Sequence, residues 1–201
     1  MVRLLSDLLQ PGGANAPTLS LSDFGAGVGQ MCSALAALDG RHRCSSYDGA
    51  GNVEEITGGY VRWVDLTRPL HLGRSDWVVS FEVGEHVPNP MEPMFIRNLH
   101  AHNCRGIVLS WGSKTRGKSG QDDSNYHPIS HLVGLFSSLG YSLRNNSAQW
   151  YLRDRGLAQG GRSTWPHHFW FDHNLVGIFD RVTPLRGDGC TVLDAPSSST
   201  R

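Results

Sequence analysis

Three glycines within five residues form the cluster of this chain that points most directly to ligand chemistry. Residues 23–29 read DFGAGVG, with an apolar-rich run over 19–21 before them and apolar residues at helical spacing behind them. Glycine lets a ligand approach the backbone, and a helix start offers unpaired N–H groups and the positive end of the helix dipole. The segment therefore predicts a strand, a turn and a helix that together bind a small molecule with anionic groups.

Two aspartates stand where further strands are expected to end. Asp48 closes the second predicted strand and Asp65 the third. Because the carboxyl ends of parallel strands share one edge of an open α/β sheet, both carboxylates should face the same crevice as the glycine turn. There Asp48 would accept the hydroxyls of a ribose, and Asp65 could meet an adenine amino group. An NAD-dependent oxidoreductase would bind such a ligand too, but its turn reads G-x-G-x-x-G, whereas this one reads G-x-G-x-G.

A candidate general base follows the fourth predicted strand, where Glu82, Glu85 and His86 occur close together. Histidine exchanges protons near neutral pH, and a neighbouring carboxylate can orient it. Equally, Glu85 and His86 could cap the following turn while Glu82 bonds backbone near the ligand. Two carboxylates and a histidine can also hold a divalent ion, but we predict no metal.

The elements that position these residues follow from the apolar pattern. The first helix should bury one face, and its apolar residues are Val28, Met31, Cys32, Leu35 and Leu38. Nearly continuous apolar runs alternate with helical segments, which predicts a parallel sheet covered on both faces. Further strands are expected at 42–47, 60–64, 76–83, 105–111, 141–143 and 175–179, and further helices at 92–103 and from Pro128 to Leu139.

Composition limits the kind of protein. The 201 residues suit one domain, which we place at 1–186, with a disordered tail at 187–201. Lysine plus arginine and aspartate plus glutamate are both 18, which excludes a general nucleic-acid binder. No apolar run is long enough to span a membrane and no signal peptide is evident, so a soluble protein is expected. The four cysteines form no C-x-x-C pair, so we expect reduced thiols and a cytoplasmic location, with Cys32 packing as a small hydrophobe.

Other residues that could take part in chemistry receive weaker assignments. His100 and His102 lie on a predicted helix and are expected at the surface. Trp111, just beyond the fifth predicted strand, could cover an acceptor, as could His167 and His168 in an aromatic-rich segment. Lys114, Arg116 and Lys118 are expected in a solvated loop.

Taken in order, the motifs resemble those of the class I S-adenosylmethionine-dependent methyltransferases, in particular the subgroup called methyltransferase-like proteins. The resemblance spans residues 19–182. It rests on DFGAGVG at 23–29, YDG at 47–49, VDL at 64–66, SFEVGEHV at 80–87, RGIVLS at 105–110 and the last strand at 171–181. It implies a Rossmann-like three-layer sandwich with a mainly parallel seven-stranded sheet whose last strand is antiparallel.

The resemblance also implies an activity, methyl transfer from S-adenosylmethionine to an unidentified small-molecule or protein acceptor. The methionine part of the cofactor would meet Gly25, Gly27 and Gly29, with Asp23 near its amino group. The ribose would bind Asp48 and Gly49, the adenine Asp65 and Leu66, and Glu82 would face the same pocket. Some relatives with an E-x-x-E-H segment hold a divalent ion there with a further histidine, for which His127 or His131 is the candidate in this chain. A non-catalytic cofactor-binding or interaction domain is the alternative, because the first strand is predicted to begin near Leu19, without the helices that close over the cofactor in many relatives. The sequence does not indicate the oligomeric state.

Overall fold

A seven-stranded sheet organises the part of the chain that the computed structural model describes, namely residues 5, 17–38, 40–112, 125–144, 175–187 and 190. Its strands are β1 (Ser20–Phe24), β2 (Arg43–Asp48), β3 (Val61–Trp63), β4 (Ser75–Ser80), β5 (Asn103–Trp111), β6 (Tyr141–Leu143) and β7 (Leu175–Arg181). The helices are α1 (Gln30–Leu38), α2 (Val53–Ile56), α3 (Glu92–Ala101) and α4 (Ile129–Ser138), with short 3-10 helices at Gly84–His86 and Asn89–Met91. Within the described residues, no helix has the length and apolar character needed to cross a membrane.

The strand order is β3-β2-β1-β4-β5-β7-β6, and the first five strands are mutually parallel. β7 runs antiparallel to both of its neighbours, β5 and β6. This arrangement confirms the predicted α/β sandwich with an antiparallel last strand. The chain builds outward from β1 to β3 and then crosses to β4 on the other side of β1. That reversal opens a crevice beyond the carboxyl ends of β1 and β4.

Alternating side chains of the central strands feed two separate apolar clusters, one on each face of the sheet. Val78 and Ile107 belong to the cluster that includes helices α3 and α4, whereas Val79 and Val108 belong to the one that includes α1. Because both faces are covered, the strands read as almost continuous apolar runs, as the sequence indicated. The largest fully buried side chains include Phe24, Phe95, Trp111, Phe136 and Phe179.

Helix α1 buries less of its apolar side than predicted. Cys32 and Leu35 are buried, but Val28 and Leu38 are exposed. Val28 is exposed because the helix begins only at Gln30, which leaves Val28 in the glycine turn. The predicted helical face was therefore wrong at its two ends.

Histidines on and after α3 correct a second prediction. His102 is buried rather than at the surface, and His100 is half-buried. The His102 ring bonds the Asn98 carbonyl at 2.8 Å, and its other nitrogen accepts the Leu72 N–H at 3.4 Å. This histidine lies inside because it satisfies backbone groups where the end of α3 meets the segment before β4.

All four cysteines form disulfides, which overturns the expectation of reduced thiols. Cys32 of α1 pairs with Cys44 of β2, and Cys104 of β5 pairs with Cys190. The partners are 12 and 86 positions apart in sequence, so a search for C-x-x-C spacing could not find them. Cys190 lies in the predicted tail, most of which falls outside the described residues. Residues 113–124 and 145–174, the latter with His167 and His168, also fall outside them. The domain boundary stays a prediction.

Candidate active site

The glycine turn connects β1 to α1 and takes its shape from positive backbone angles. Gly25, Gly27 and Gly29 have φ of +88°, +56° and +81°, values that favour glycine. The N–H groups of Gly25 and Ala26 both donate to the carbonyl of Tyr47, at 2.9 and 3.0 Å. The turn is thus held against the end of β2.

Each of these glycines meets a different environment. A Cβ at Gly25 would overlap the Val83 side chain, and one at Gly29 would come within 2.6 Å of the Tyr60 ring. A Cβ at Gly27 would meet no atom within 4 Å. Gly25 and Gly29 are therefore glycines for internal packing, whereas Gly27 has open space in front of it.

Asp48 joins two turns at the carboxyl edge of the sheet. Its Oδ2 accepts the Gly27 N–H at 2.7 Å, and its Oδ1 accepts the Ala50 N–H at 2.9 Å. A carboxylate oxygen has two lone pairs, so each oxygen keeps acceptor capacity for a further donor such as a hydroxyl. The geometry suits the predicted role of this carboxylate.

Asp65 follows β3 in a local turn. Its Oδ1 accepts the N–H and the hydroxyl of Thr67, at 2.9 and 2.6 Å, and Arg68 lies 3.4 Å from Oδ2. The hydrogen bonds from Thr67, helped by the Arg68 charge, hold the pKa of the Asp65 carboxyl below its usual value. Asp65 is therefore an ionised acceptor at neutral pH.

A cleft of about 560 Å³ opens at this edge of the sheet, a size that suits a small molecule. Seven of the nine predicted cofactor-binding residues line it, namely Gly25, Gly27, Asp48, Gly49, Asp65, Leu66 and Glu82. Gly29 and Asp23 do not. His86 lines the cleft too, together with residues that sequence reasoning missed: Trp63, Thr67, Val83, Val87 and Pro88. Most of these residues could have been predicted from the sequence, because they lie just after Asp65 or in the segment that follows β4.

Asp23 lies in β1, two residues before the first glycine of the turn; it is 3% exposed and in register with Ser46 of β2 and Val79 of β4. Burial raises the pKa of its carboxyl to about 7, and the nearby charge of Asp48 adds to the shift. A carboxyl that titrates near neutrality can change charge when a cation approaches. Asp23 is a buried carboxyl that does not line the cleft.

Glu82 has an unusual backbone conformation just after β4. Its φ is +56°, the only positive value among the described non-glycine residues. Ser110 of β5 holds it there, because the Ser110 hydroxyl donates to Oε1 at 2.7 Å and accepts the Glu82 N–H at 2.8 Å. Such strain costs roughly 1 kcal/mol or more and tends to occur at functional sites.

Glu85 and His86 point in opposite directions from their 3-10 helix. His86 is exposed at the cleft, whereas Glu85 is 3% exposed and does not line it. Burial raises the pKa of the Glu85 carboxyl to about 7, a shift to which the charge of Glu82 contributes. The Glu85 main-chain carbonyl accepts the Asn125 N–H at 2.8 Å. Of the predicted base group, only Glu82 and His86 are therefore brought together at the cleft.

Trp111 does not cover the cleft as predicted. It is fully buried at the end of β5, where its indole N–H donates to the Asn125 carbonyl at 2.6 Å. Its ring packs against Phe95, and a Cβ at Gly84 would overlap that ring. Trp111 thus packs against the loop after β4, and its ring leaves no room for a side chain at position 84.

Comparisons with known proteins show which solved structures share this architecture. No protein-family model and no curated protein sequence matches the chain. Solved structures do. The chain is similar to magnesium protoporphyrin IX methyltransferase from Synechocystis PCC 6803 with bound S-adenosylmethionine, at a TM-score of 0.59 and 19% identity, over 90% of this chain and 77% of that one. It is also similar to the 1,6-didemethyltoxoflavin-N1-methyltransferase of Burkholderia thailandensis, at 0.56 and 15%, with the same shares covered.

A third neighbour is the CurJ carbon methyltransferase, with a TM-score of 0.60 and 11% identity, covering 91% of this chain and 54% of that one. Identities this low establish the architecture rather than the reaction. The sheet order, the antiparallel last strand and these neighbours agree on one conclusion. This chain has the fold of the class I S-adenosylmethionine-dependent methyltransferases.

Proposed function

We propose that this protein binds S-adenosylmethionine in the cleft at the carboxyl edge of its sheet and transfers the methyl group to a small-molecule acceptor. The observation that carries the proposal is the convergence of the glycine turn, Asp48 and Asp65 on one cleft of suitable size. The open space in front of Gly27 fits a ligand that approaches the backbone closely.

The roles follow from chemistry and position. Asp48 and Gly49 would hold the ribose hydroxyls, and Asp65 and Leu66 the adenine. The buried Asp23 carboxyl would ionise in response to the cofactor's amino group. Glu82, fixed by Ser110, would accept hydrogen bonds at the inner end of the cleft.

S-adenosylmethionine supplies a methyl group on a positively charged sulfur, and transfer is an in-line displacement that mainly requires two reactants held in contact. An acceptor hydroxyl or amine must also lose a proton. His86, exposed at the cleft, is the candidate base. Glu85 would act indirectly, by fixing the turn that presents His86.

A small-molecule acceptor is favoured over a protein because the porphyrin and toxoflavin methyltransferases named above act on small molecules. Nucleic acid is disfavoured by the zero net charge. The expected cytoplasmic location rested on the lack of a signal peptide, of a membrane span and of a disulfide pattern. The two disulfides remove the third of these grounds and favour an oxidising compartment.

Calorimetric titration of the full chain with S-adenosylhomocysteine tests the proposal. We expect saturable binding by the wild type, a loss of at least about tenfold in affinity (about 1.4 kcal/mol) in Asp48→Ala, and no change in Glu55→Ala, an exposed acid outside the cleft. Binding of NAD but not of S-adenosylhomocysteine would establish the oxidoreductase alternative. Cofactor binding without methyl transfer to any of a panel of small molecules would favour the non-catalytic alternative.

A further inference from the structure

A second group of potential ligands lies outside the cleft, at the starts of α3 and α4. Glu92 is the first residue of α3, His127 lies just before α4, and His131 lies in its first turn. We call these three residues the Glu92 cluster. The segment after β4 and the segment after β5 deliver them, so they lie at the same edge of the sheet as the cleft.

The side chains of the Glu92 cluster converge. His127 Nε2 donates to Glu92 Oε2 at 2.7 Å, and His131 Nε2 lies 3.7 Å from Glu92 Oε1. The two imidazole rings stack, with centroids 4.0 Å apart and planes 22° from parallel. One ligand atom from each residue can be chosen so that all three lie within 4.8 Å of one another.

Those separations are close to the ones that a metal ion requires. Nitrogen and oxygen ligands about 2.0–2.2 Å from a tetrahedral ion are roughly 3.4 Å apart. Small side-chain rotations that lengthen the His127–Glu92 contact and shorten the others therefore bring all three atoms to bonding distance of one ion. The spacing of His127 and His131 by four residues lets both rings reach the same carboxylate.

The surroundings of the Glu92 cluster are organised as they are around bound metals. Asn125, which is almost fully buried, donates from Nδ2 to Glu92 Oε2 at 2.6 Å and so orients the carboxylate. Its Oδ1 is buried with no hydrogen-bond partner among the described residues. Side-chain exposure rises from 14% at Glu92 to 20% at His127 and 45% at His131, which leaves a path for an ion from solvent.

We propose that Glu92, His127 and His131 bind one divalent transition-metal ion, of which Zn²⁺ is the representative. Two imidazoles and one carboxylate suit zinc and its neighbours in the first transition row, whereas Mg²⁺ and Ca²⁺ prefer an all-oxygen set. Three protein ligands leave a coordination position open for water or another small ligand. This site differs from the one considered for Glu82, Glu85 and His86, and it does not depend on methyl transfer.

Titration of the full chain with Zn²⁺ tests the site. The protein is purified without an affinity tag or thiol reductant, dialysed against a chelator and then freed of it. We expect one high-affinity Zn²⁺ per chain by calorimetry, and with Co²⁺ a visible absorption band of a nitrogen-ligated ion. His131→Ala, which alters an exposed side chain and should fold normally, is expected to weaken Zn²⁺ binding by at least about tenfold. Glu92→Gln should weaken it as well, and circular dichroism checks its fold.

The matched control is His71→Ala, which removes an exposed histidine outside the Glu92 cluster and should leave the Zn²⁺ affinity unchanged. Absence of saturable Zn²⁺ binding by the wild type overturns the proposal. So does binding that survives unchanged in His131→Ala, because the ion would then be held by other histidines. Tighter binding of Mg²⁺ than of Zn²⁺ overturns the assignment to a transition metal.

Discussion

The buried carboxyl of Asp23 makes a quantitative prediction about stability and pH. Its pKa is about 7 in the folded protein and 3.8 when unperturbed, so between these values the folded chain holds a proton that the unfolded chain has released. Because the folded state binds more protons, its free energy of unfolding falls as pH rises through this window. The stabilisation is fully present below about pH 4 and is lost as pH rises through about 7.

Between about pH 5 and pH 7, each rise of one pH unit lowers the free energy of unfolding by about 1.4 kcal/mol. Asp23 should therefore lower the stability of the wild type by about 3 kcal/mol between pH 5 and pH 8. Asp23→Asn has nearly the same shape and does not titrate, so this contribution should vanish. We expect the variant to gain about 3 kcal/mol relative to the wild type over this interval.

The assay is urea unfolding followed by tryptophan fluorescence, with the disulfides intact, at pH 5 and pH 8. A matched control is Asp65→Asn, because the folded-state pKa of Asp65 is lowered and its contribution to stability should therefore be the same at pH 5 and at pH 8. The stabilisation by Asp65 is present above about pH 4 and is lost as pH falls below it, so its replacement should cost stability at neutral pH. Parallel pH profiles for wild type and Asp23→Asn would refute the raised pKa of Asp23.

Three further predictions concern the turn, the base and the disulfides. Gly27→Ala should weaken S-adenosylhomocysteine binding by about tenfold while the fold survives. Gly29→Ala should instead lower the melting temperature, because its Cβ would come within 2.6 Å of an aromatic ring. Equal effects of the two variants on affinity and on melting temperature would contradict this division. His86→Ala should reduce kcat by about 100-fold or more with little change in cofactor Kd, and the opposite pattern would exclude a base role. Replacing Cys104 and Cys190 together by serine should lower the free energy of unfolding by up to about 4 kcal/mol, measured in urea, because their 86-position separation closes a long loop; an unchanged unfolding midpoint would show that the bridge does not form in solution.

The architecture followed from the sequence because its signals are local. Strands such as β4 and β5 are apolar on both faces, and a glycine turn with DFGAGVG marks the cofactor edge. Asp48 and Asp65 reached the cleft because the end of a parallel strand fixes where the next side chains lie.

The features that the sequence does not predict depend on the direction of individual side chains and on contacts between residues that are far apart in the chain. A 3-10 helix, whose presence no pattern announced, turns Glu85 inward and His86 outward. One disulfide joins α1 to β2 and the other joins β5 to the segment after β7, and these parts of the chain become neighbours only when the sheet forms. The sequence indicates His127 and His131 as possible metal ligands, but it does not indicate Glu92, which lies at the start of a helix outside the Glu82–His86 segment.

The bridge between Cys104 and Cys190 has a consequence for a chain that is cut. One end lies near the start of β5, and the other lies beyond β7, the antiparallel strand between β5 and β6. A protease that hydrolyses any single peptide bond between these cysteines therefore produces two fragments that remain covalently joined. Such a nicked molecule would migrate as one species on a non-reducing gel and as two after reduction. β7 would stay covalently linked to β5 and could remain paired with it, so the parallel strands that carry the cleft would keep their antiparallel neighbour.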